Sequence, residues 1–413
     1  RTTLLASGMA LALLAAGPAV AQDKPSVKIA AIVPQSGAGA FDGQLALEGM
    51  QAEVALVNAA GGILGGRKIE LVVYDDKGTP EEGVSAARRA MEQDKVDMIV
   101  GGWFSAVALS MKEVTRDKII SVMTSSQHPD VTAKGHKFLF RLNATSNMMS
   151  SKYGQEICAR IKPKSVAFIT INDDFGRLEV DNYTKLLGAC NVEIKGNEFY
   201  NRNDTDFTVA LTKLKSLNPD AIYVSAINTS QGATIYRQAR QAGFRGTLIA
   251  SAGNMNPKLI ELAGPALEGV YSISLYAPDS DNAKLKAWTE QYGKTFKNQP
   301  AFIGTLGAQA VQVLAAAADK AGTANDPDKI AAALRSQTWP TLLGEIKFEE
   351  NGQALQNLWL VAPLWPFWLA ALGLGLGQRA LRRDRQFWLL LLPAAGLLFY
   401  FLFFQNDLPR HRD

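Results

Sequence analysis

VKIAAIVPQSGAGA, at residues 27–40, joins a strand-like run to a loop near the start of this chain. The first seven residues are mostly apolar, which is typical of a buried strand. The next seven are Pro, Gln, Ser, Gly and Ala, a composition that is typical of a loop. This order predicts the first strand and the first loop of an α/β domain.

An apolar segment of small residues, 4–20, precedes this strand. Residues 19–21, Ala-Val-Ala, fit the small-x-small pattern at which signal peptides are cleaved. We therefore expect residues 1–21 to be a signal peptide that exports the chain. An uncleaved anchor helix is the alternative that this segment leaves open.

Strand-like and helix-like segments alternate along the chain from residue 27 onward. Strands are predicted at residues 27–33, 69–74, 98–101, 119–123, 165–171, 221–225 and 247–251, and helices at 44–58, 81–93, 206–217, 232–242, 282–296 and 306–321. The alternation predicts an α/β fold of parallel sheets flanked by helices. It occurs twice, over about 27–140 and 148–270, which indicates two lobes. Ligands of such sheets bind beyond the carboxyl ends of the strands.

The composition is that of an ordinary globular protein, with 47% hydrophobic and 20% charged residues and a net charge of +4. No basic stripe with interleaved aromatic residues occurs, so nucleic acid is not an expected partner. The two cysteines, Cys158 and Cys190, fall near the ends of successive predicted helices. Export permits a disulfide between them, and two buried thiols are the open alternative.

The character of the chain changes after residue 361. Residues 358–377 and 387–404 are apolar, and the segment between them carries four arginines. Each run approaches the length of about 20 residues that a spanning helix needs. Residues 362–413 are therefore predicted to form a transmembrane hairpin that tethers the protein to the inner membrane. Its basic loop would lie in the cytoplasm. A foreign tail joined to the gene is the alternative.

No pattern of residues predicts catalysis. The three histidines, at positions 128, 136 and 411, have no nucleophile elbow to serve and no metal-ligand spacing around them. The glycines at 37–43 lack dinucleotide-binding spacing, because the third glycine position is Asp42. The acidic pairs at 75–76 and 173–174 are expected to be solvated turn residues. We expect no enzyme activity and no cofactor.

The loops that follow predicted strands favour binding instead. Trp103, Phe104 and Ser105 follow one strand, and residues 124–127, Thr-Ser-Ser-Gln, follow the next. Phe175 and Asn228 follow strands of the second half. Aromatic rings offer apolar walls, while hydroxyl and amide groups orient a small polar ligand.

The chain resembles the periplasmic substrate-binding proteins of ABC transporters, in the branched-chain amino-acid (Leu/Ile/Val-binding) class, over residues 27–361. The resemblance rests on six motifs: AIVPQSG (31–37), VNAAGGILGGRKIEL (57–71), YDD (74–76), DFG (174–176), YRQARQAG (236–243) and GEIKFEENG (344–352). It implies a type I fold of two lobes with three crossovers, near 142–146, 271–277 and 340–346. Lobe 1 would comprise residues 27–143 and 273–342, and lobe 2 residues 144–272 and 343–361.

The resemblance also implies roles for particular residues. Ser105 and the segment 125–127 match positions that hold a ligand carboxylate, while Phe41 and Phe175 match aromatic positions flanking the ligand. Members of the class often place an aromatic residue near Asn228, and a Glu that pairs with the ligand's ammonium at the position of Ala252. The expected ligand-binding set is Phe41, Trp103, Phe104, Ser105, Ser125, Ser126, Gln127, Phe175, Asn228 and Ala252.

These observations predict the solute-binding component of an ABC importer. It would capture a small amino acid or carboxylate between closing lobes in the periplasm and present it to an inner-membrane permease. The alternatives are a membrane-tethered ligand-sensing domain, or a binder of a small amide or an aromatic acid.

Overall fold

A computed structural model describes residues 24–356 apart from 227, 253–254 and 277–279, together with the backbone of residues 359–363 and 401–404. The predicted signal peptide, residues 1–21, lies outside the described residues. The same holds for most of the predicted membrane hairpin.

The first lobe is built on a five-stranded parallel sheet with the strand order β2-β1-β3-β4-β5. Its elements are β1 (Val27–Val33), α1 (Ala40–Ala59), β2 (Ile69–Asp75), α2 (Pro80–Glu92), β3 (Met98–Gly101), α3 (Ser105–Thr115), β4 (Ile120–Met123), a short 3₁₀ turn (Pro129–Val131) and β5 (Leu139–Arg141). β3 and β4 are buried along their whole length, because helices cover both faces of the sheet.

The second lobe repeats this plan around a four-stranded parallel sheet with the order β7-β6-β8-β9. Its elements are α4 (Ser146–Glu156), a π-helical turn (Ile157–Ile161), β6 (Ser165–Ile171), α5 (Asp174–Ala189), β7 (Glu193–Tyr200), α6 (Thr208–Ser216), β8 (Ala221–Ser225), α7 (Thr229–Gln241), β9 (Thr247–Ala250), α8 (Pro257–Ala263), a 3₁₀ turn (Gly264–Leu267) and β10 (Ser272–Ser274). Side-chain oxygens of Asp173, Asn228 and Asn256 accept hydrogen bonds from the first turns of α5, α7 and α8 and so fix where these helices begin. The predicted α/β fold of parallel sheets flanked by helices is confirmed.

Three helices after β10 return to the first lobe: α9 (Ala283–Thr295), α10 (Phe302–Ala321) and α11 (Pro327–Arg335). Both α9 and α10 pack against α1, and α11 packs against α10. Among the described helices, α10 alone is long and apolar enough to cross a membrane, and most of it is buried in this core. The chain continues through β11 (Trp339–Thr341), β12 (Gly344–Phe348), β13 (Ala354–Leu355), β14 (Trp359–Pro363) and β15 (Phe401–Phe404).

The third crossover lies later than the sequence predicts. β12 pairs with β11 and β13, and Gln353 forms a bridge to Arg141 at the end of β5. The side chain of Arg141 also donates to Gln353 Oε1 over 2.7 Å. Residues 343–355, predicted for lobe 2, therefore pack with lobe 1. The chain crosses between β13 and β14, where β14 pairs antiparallel with β10.

Two further predictions concern the cysteines and the tail. Cys158 and Cys190 form a disulfide that joins the π-helical turn after α4 to the end of α5. β15 occupies residues at the end of the predicted second membrane helix, and it pairs antiparallel with β14. These four residues are therefore extended rather than helical.

Candidate functional site

A cavity of about 550 Å³, counting its opening to solvent, lies between the two lobes. Its walls are residues that follow the carboxyl ends of β3, β4, β5, β6, β8 and β9, together with one side chain at the start of α10. They are Trp103, Phe104, Ser105, Ser125, Gln127, Asn143, Asp173, Phe175, Ala226, Ser251, Ala252 and Phe302. Parallel sheets in both lobes thus direct their strand-end loops toward one space, the usual location of a ligand in such folds.

Four residues that line this cavity each carry a buried polar atom with no hydrogen-bond partner among the described residues. The atoms are Trp103 Nε1, Ser125 Oγ, Gln127 Oε1 and Asn143 Oδ1. A buried polar atom left unpaired costs about 1–3 kcal/mol, so native proteins keep such atoms mainly where something else binds them. The four atoms present both hydrogen-bond donors and acceptors to the cavity.

The orientation of Asn143 follows from its other hydrogen bond. Its side-chain NH₂ donates to the carbonyl oxygen of Ser125 over 2.8 Å, so the side-chain atom without a partner is the acceptor Oδ1. This contact joins the loops after β4 and β5. Asn143 therefore offers an acceptor, whereas Trp103 offers an N–H donor.

The N-terminus of α3 forms part of the cavity wall. The helix begins at Ser105, and its N-cap residue, Phe104, supplies no side-chain cap. The first N–H groups of a helix have no partner within the helix and carry partial positive charge, which favours an anion there. Ser105 Oγ accepts hydrogen bonds from the backbone N–H groups of Gln127 and His128, each over 3.2 Å. Ser105 therefore also holds the loop after β4 in place.

Among the described residues that line the cavity, Asp173 is the only one with a carboxyl group, and both of its oxygens have partners. Oδ1 accepts from the backbone N–H of Gly176 over 3.0 Å at the start of α5. Oδ2 accepts from Arg202 over 3.2 Å. The Arg202 guanidinium also lies 4.3 Å from the ring centre of Phe104 on the other lobe, within cation–π range. Arg202 thus compensates the charge of Asp173 and contacts both lobes.

Seven of the ten residues predicted for ligand binding line this cavity. They are Trp103, Phe104, Ser105, Ser125, Gln127, Phe175 and Ala252. Ser126 does not line it. Asn228 does not either, since its side-chain oxygen accepts from Gln231 N at the start of α7, over 2.9 Å. Phe41 lines a separate groove between α1 and α8.

Sequence reasoning did not assign five cavity residues to the site. Asp173, Ala226 and Ser251 follow predicted strands, the same signal that identified Trp103 and Ser125, whereas Asn143 follows β5, which the sequence did not predict. Asp173 was expected to be a solvated turn residue, whereas it lies at the cavity and caps α5. Phe302 starts a helix that returns from the second lobe, and no local pattern marks it.

Within the part of the chain that the structure describes, no group of three or more His, Cys, Asp or Glu side chains is placed to hold a metal ion. His128 N-caps the short 3₁₀ turn, with its Nδ1 accepting from the N–H of Asp130 over 3.3 Å. His136 is buried beside Arg116, and desolvation lowers its pKa. Both are accounted for by local structure.

Comparison with known proteins gives a consistent result. A sequence model of the periplasmic binding proteins matches residues 26–363. A leucine-, isoleucine-, valine-, threonine- and alanine-binding protein of Pseudomonas aeruginosa is 30% identical over 329 residues, covering 79% of this chain and 87% of the relative. The solved structure of a leucine-binding protein, LivK, of Thermotoga maritima is 30% identical, has a TM-score of 0.75, and covers 81% of this chain and 95% of that one.

A more distant structure shares the fold. It is a solute-binding protein of an ABC transporter from Rhodopseudomonas palustris, in complex with 3,4-dihydroxybenzoic acid. Its identity to this chain is 23% and the TM-score is 0.75, with 82% of this chain and 93% of that one covered.

Proposed function

Since the chain belongs to the periplasmic binding protein family, we propose that its cavity binds a small amino acid or carboxylate for delivery to the permease of an ABC importer. Members of this family are solute-binding proteins of transporters rather than enzymes, and membership implies a periplasmic location. These relatives do not favour the alternatives of a tethered sensor or of an amide or aromatic-acid binder. Membrane tethering by residues 362–413 has no support from them.

The observation that carries the proposal is the set of four unpartnered polar atoms around one cavity. Trp103 Nε1 and the Ser125 hydroxyl can donate to a carboxylate, and the N-terminus of α3 favours its negative charge. Asn143 Oδ1 and Gln127 Oε1 can accept from an ammonium or hydroxyl group of the same ligand. The ligand is thus a small molecule with an acceptor end and a donor end.

The rest of the cavity suits a short apolar side chain. Phe175 comes from the second lobe and Phe302 from the first, so rings from both sides can enclose it. Ala252 and Ala226 leave space where larger residues would fill it. Among the described residues that line the cavity, no free carboxylate meets a ligand's ammonium, because Asp173 is already paired with Arg202. We therefore propose that neutral amide oxygens, rather than an unpaired acid, hold the donor end.

Capture would proceed by closure of one lobe on the other. Each lobe supplies part of the wall, so the full set of contacts forms only when the lobes meet. The crossing segments between β5 and α4, between β10 and α9, and between β13 and β14 are the places where backbone rotation can move the lobes. The closed, loaded form would then be presented to the permease.

Isothermal titration calorimetry on a matched set of compounds tests the proposal. The set is L-leucine, L-alanine, 4-methylvalerate, which is leucine without its amine, leucinamide, which lacks the carboxylate, and benzoate. We expect L-leucine or L-alanine to bind and leucinamide to bind far more weakly. Equal affinity for leucine and leucinamide would contradict a carboxylate site at Ser125 and α3. Tighter binding of 4-methylvalerate or benzoate would instead identify an acid without an amine as the ligand.

Two adjacent serines provide a control. Ser125→Ala removes the hydroxyl of a cavity-lining residue and should weaken binding about fivefold, in line with about 1 kcal/mol for one hydrogen bond. Ser126→Ala removes another buried hydroxyl, from a residue that does not line the cavity, so affinity should stay at the wild-type value. Equal losses in the two variants would rule out a specific role for Ser125.

A further inference from the structure

A buried carboxylate of the first lobe binds the start of a helix in the second. Asp42 lies in the first turn of α1 and is 2% exposed. Its Oδ2 accepts from the backbone N–H of Thr229 over 3.0 Å, and its Oδ1 accepts from the Thr229 hydroxyl over 2.6 Å. Thr229 is the first residue of α7, so this contact spans the cleft away from the residues that line the cavity.

A third buried residue fixes the direction of these hydrogen bonds. Asn256 Nδ2 donates to the Thr229 hydroxyl oxygen over 2.8 Å. The hydroxyl proton is therefore directed to Asp42. Asn256 also N-caps α8 through its side-chain oxygen, which anchors it firmly in the second lobe. Asp42, Thr229 and Asn256 form an ordered chain of hydrogen bonds from one lobe to the other.

The charge of Asp42 matters because two helix N-termini meet at this point. α1 and α7 both begin at the cleft, and each N-terminus carries partial positive charge. A carboxylate between them interacts favourably with both and satisfies the N–H of Thr229, which has no partner within its own helix. Burial raises the pKa of Asp42 to about 6, so the group is mainly ionised in neutral solution.

We propose that Asp42 is the latch of the closed state: a positioning residue that docks α7 of the second lobe and sets the balance between open and closed molecules. In the open form water would solvate both partners. On closure the carboxylate replaces that water at the N-terminus of α7. The latch acts on closure rather than on ligand recognition, because Asp42 is not among the cavity-lining residues. The proposal holds whichever solute binds.

Inter-lobe distances test this without knowledge of the ligand. Spin labels are placed at Glu92→Cys, exposed at the end of α2, and at Val209→Cys, 82% exposed in α6. The native cysteines are bonded to each other and do not react with the label. Double electron–electron resonance then gives the distance distribution in wild type and variants, with and without 1 mM L-leucine. Asp42→Asn should lower the ratio of closed to open molecules about tenfold or more. Thr229 donates both its N–H and its hydroxyl to Asp42, and the NH₂ group of Asn would face one of these donors as a second donor.

Two further variants make the result specific. Thr229→Val keeps the backbone N–H but removes the hydroxyl, so it should shift the distribution in the same direction by less. Glu53→Gln changes another buried acid of α1, one that bonds to Gln312 within the first lobe, and should leave the distribution unchanged. An unchanged distribution in Asp42→Asn, or an equal shift in Glu53→Gln, would overturn the proposal. A wild type without any population at the closed separation would do the same.

Failure of this proposal and failure of the proposed function give different results. If Asp42 is not a latch, calorimetry on the wild type still detects binding of the solute. If no compound of the set binds, the distances in ligand-free protein still report whether Asp42 holds the lobes together.

Discussion

Within the described part of the chain, four carboxyl groups have a pKa that burial raises. Burial raises the pKa of Asp42 and Asp76 to about 6, and that of Glu53 and Glu179 to about 7. Loss of hydration disfavours the charged form, and the hydrogen bonds these groups accept only partly offset it. Each group therefore links the stability of the fold to pH.

Glu179 gives the clearest test of this link, because Tyr223 and Ser225 hold it within the second lobe. Its pKa is higher in the folded than in the unfolded chain, so the folded protein retains a proton that the unfolded chain loses. The contribution is fully present below about pH 4.5 and is lost as pH rises to about 7. Over this pH range the wild type should therefore lose a few kcal/mol of its free energy of unfolding through Glu179. Glu179→Gln has no group to ionise at this position and should not show this loss.

Urea unfolding at pH 5 and pH 8, without ligand, measures this effect. The wild type should lose more stability between the two values than Glu179→Gln. Glu81→Gln, an exposed substitution on α2, should follow the wild type. Parallel behaviour of the wild type and Glu179→Gln would show that the carboxyl group is ionised to the same degree in both states.

At the scale of elements, the contact between α1 and α10 depends on glycine. A Cβ atom at Gly49 of α1 would lie 2.0 Å from the carbonyl oxygen of Gly304 on α10. That oxygen belongs to helix backbone and cannot move alone. The two helices approach closely because neither carries a side chain at this point, and α10 brings Phe302 to the cavity.

Gly49→Ala should therefore separate the two helices and lower the free energy of unfolding by about 3 kcal/mol, the upper end of the range for overpacking. It should also weaken ligand binding, since Phe302 would move with α10. Gly293→Ala, in α9, is the matched control, because a Cβ there meets no atom within 4 Å. It should be neutral or stabilising by up to about 1 kcal/mol through helix propensity. Thermal and urea unfolding measure the stability of both variants. Equal stability of Gly49→Ala and Gly293→Ala would contradict the argument that the two helices need glycine at their contact.

At the scale of the whole molecule, the second lobe is completed by the last crossing of the chain. β14 returns from the first lobe and pairs with β10, matching Ser272 to Val361 and Ser274 to Trp359. The match to the family also ends at residue 363. The two-lobed unit thus lies within residues 26–363.

A chain of residues 24–363 should therefore fold and bind its solute as the full-length chain does. A chain of residues 24–356 lacks β14 and leaves β10 with an unpaired edge, so its second lobe should unfold at lower temperature. Differential scanning calorimetry and calorimetric titration compare the two chains. Loss of binding in the 24–363 chain would show that the second lobe also needs the pairing of β15 with β14.

Short-range patterns predicted seven of the nine strands in the two parallel sheets, but not β5 or β7, and they predicted several residues that line the cavity. Trp103, Ser125 and Phe175 were predicted from the sequence because parallel strands place their following loops at one edge. The same reasoning assigned Ser126 and Asn228 to the site. It could not tell which of the two serines lines the cavity, or that the side chain of Asn228 would cap the start of α7.

The sequence was enough to indicate two α/β lobes, because hydrophobic periodicity and turn residues act over a few positions and appear directly in the chain. Only the tertiary structure decided which distant residues meet. Phe302 reaches the cavity because α10 packs in the first lobe after the chain has crossed back from the second. Arg202 contacts Phe104 across the cleft, and Asp42 binds Thr229, 187 positions away. Such contacts depend on the relative placement of packed elements, which no local pattern encodes.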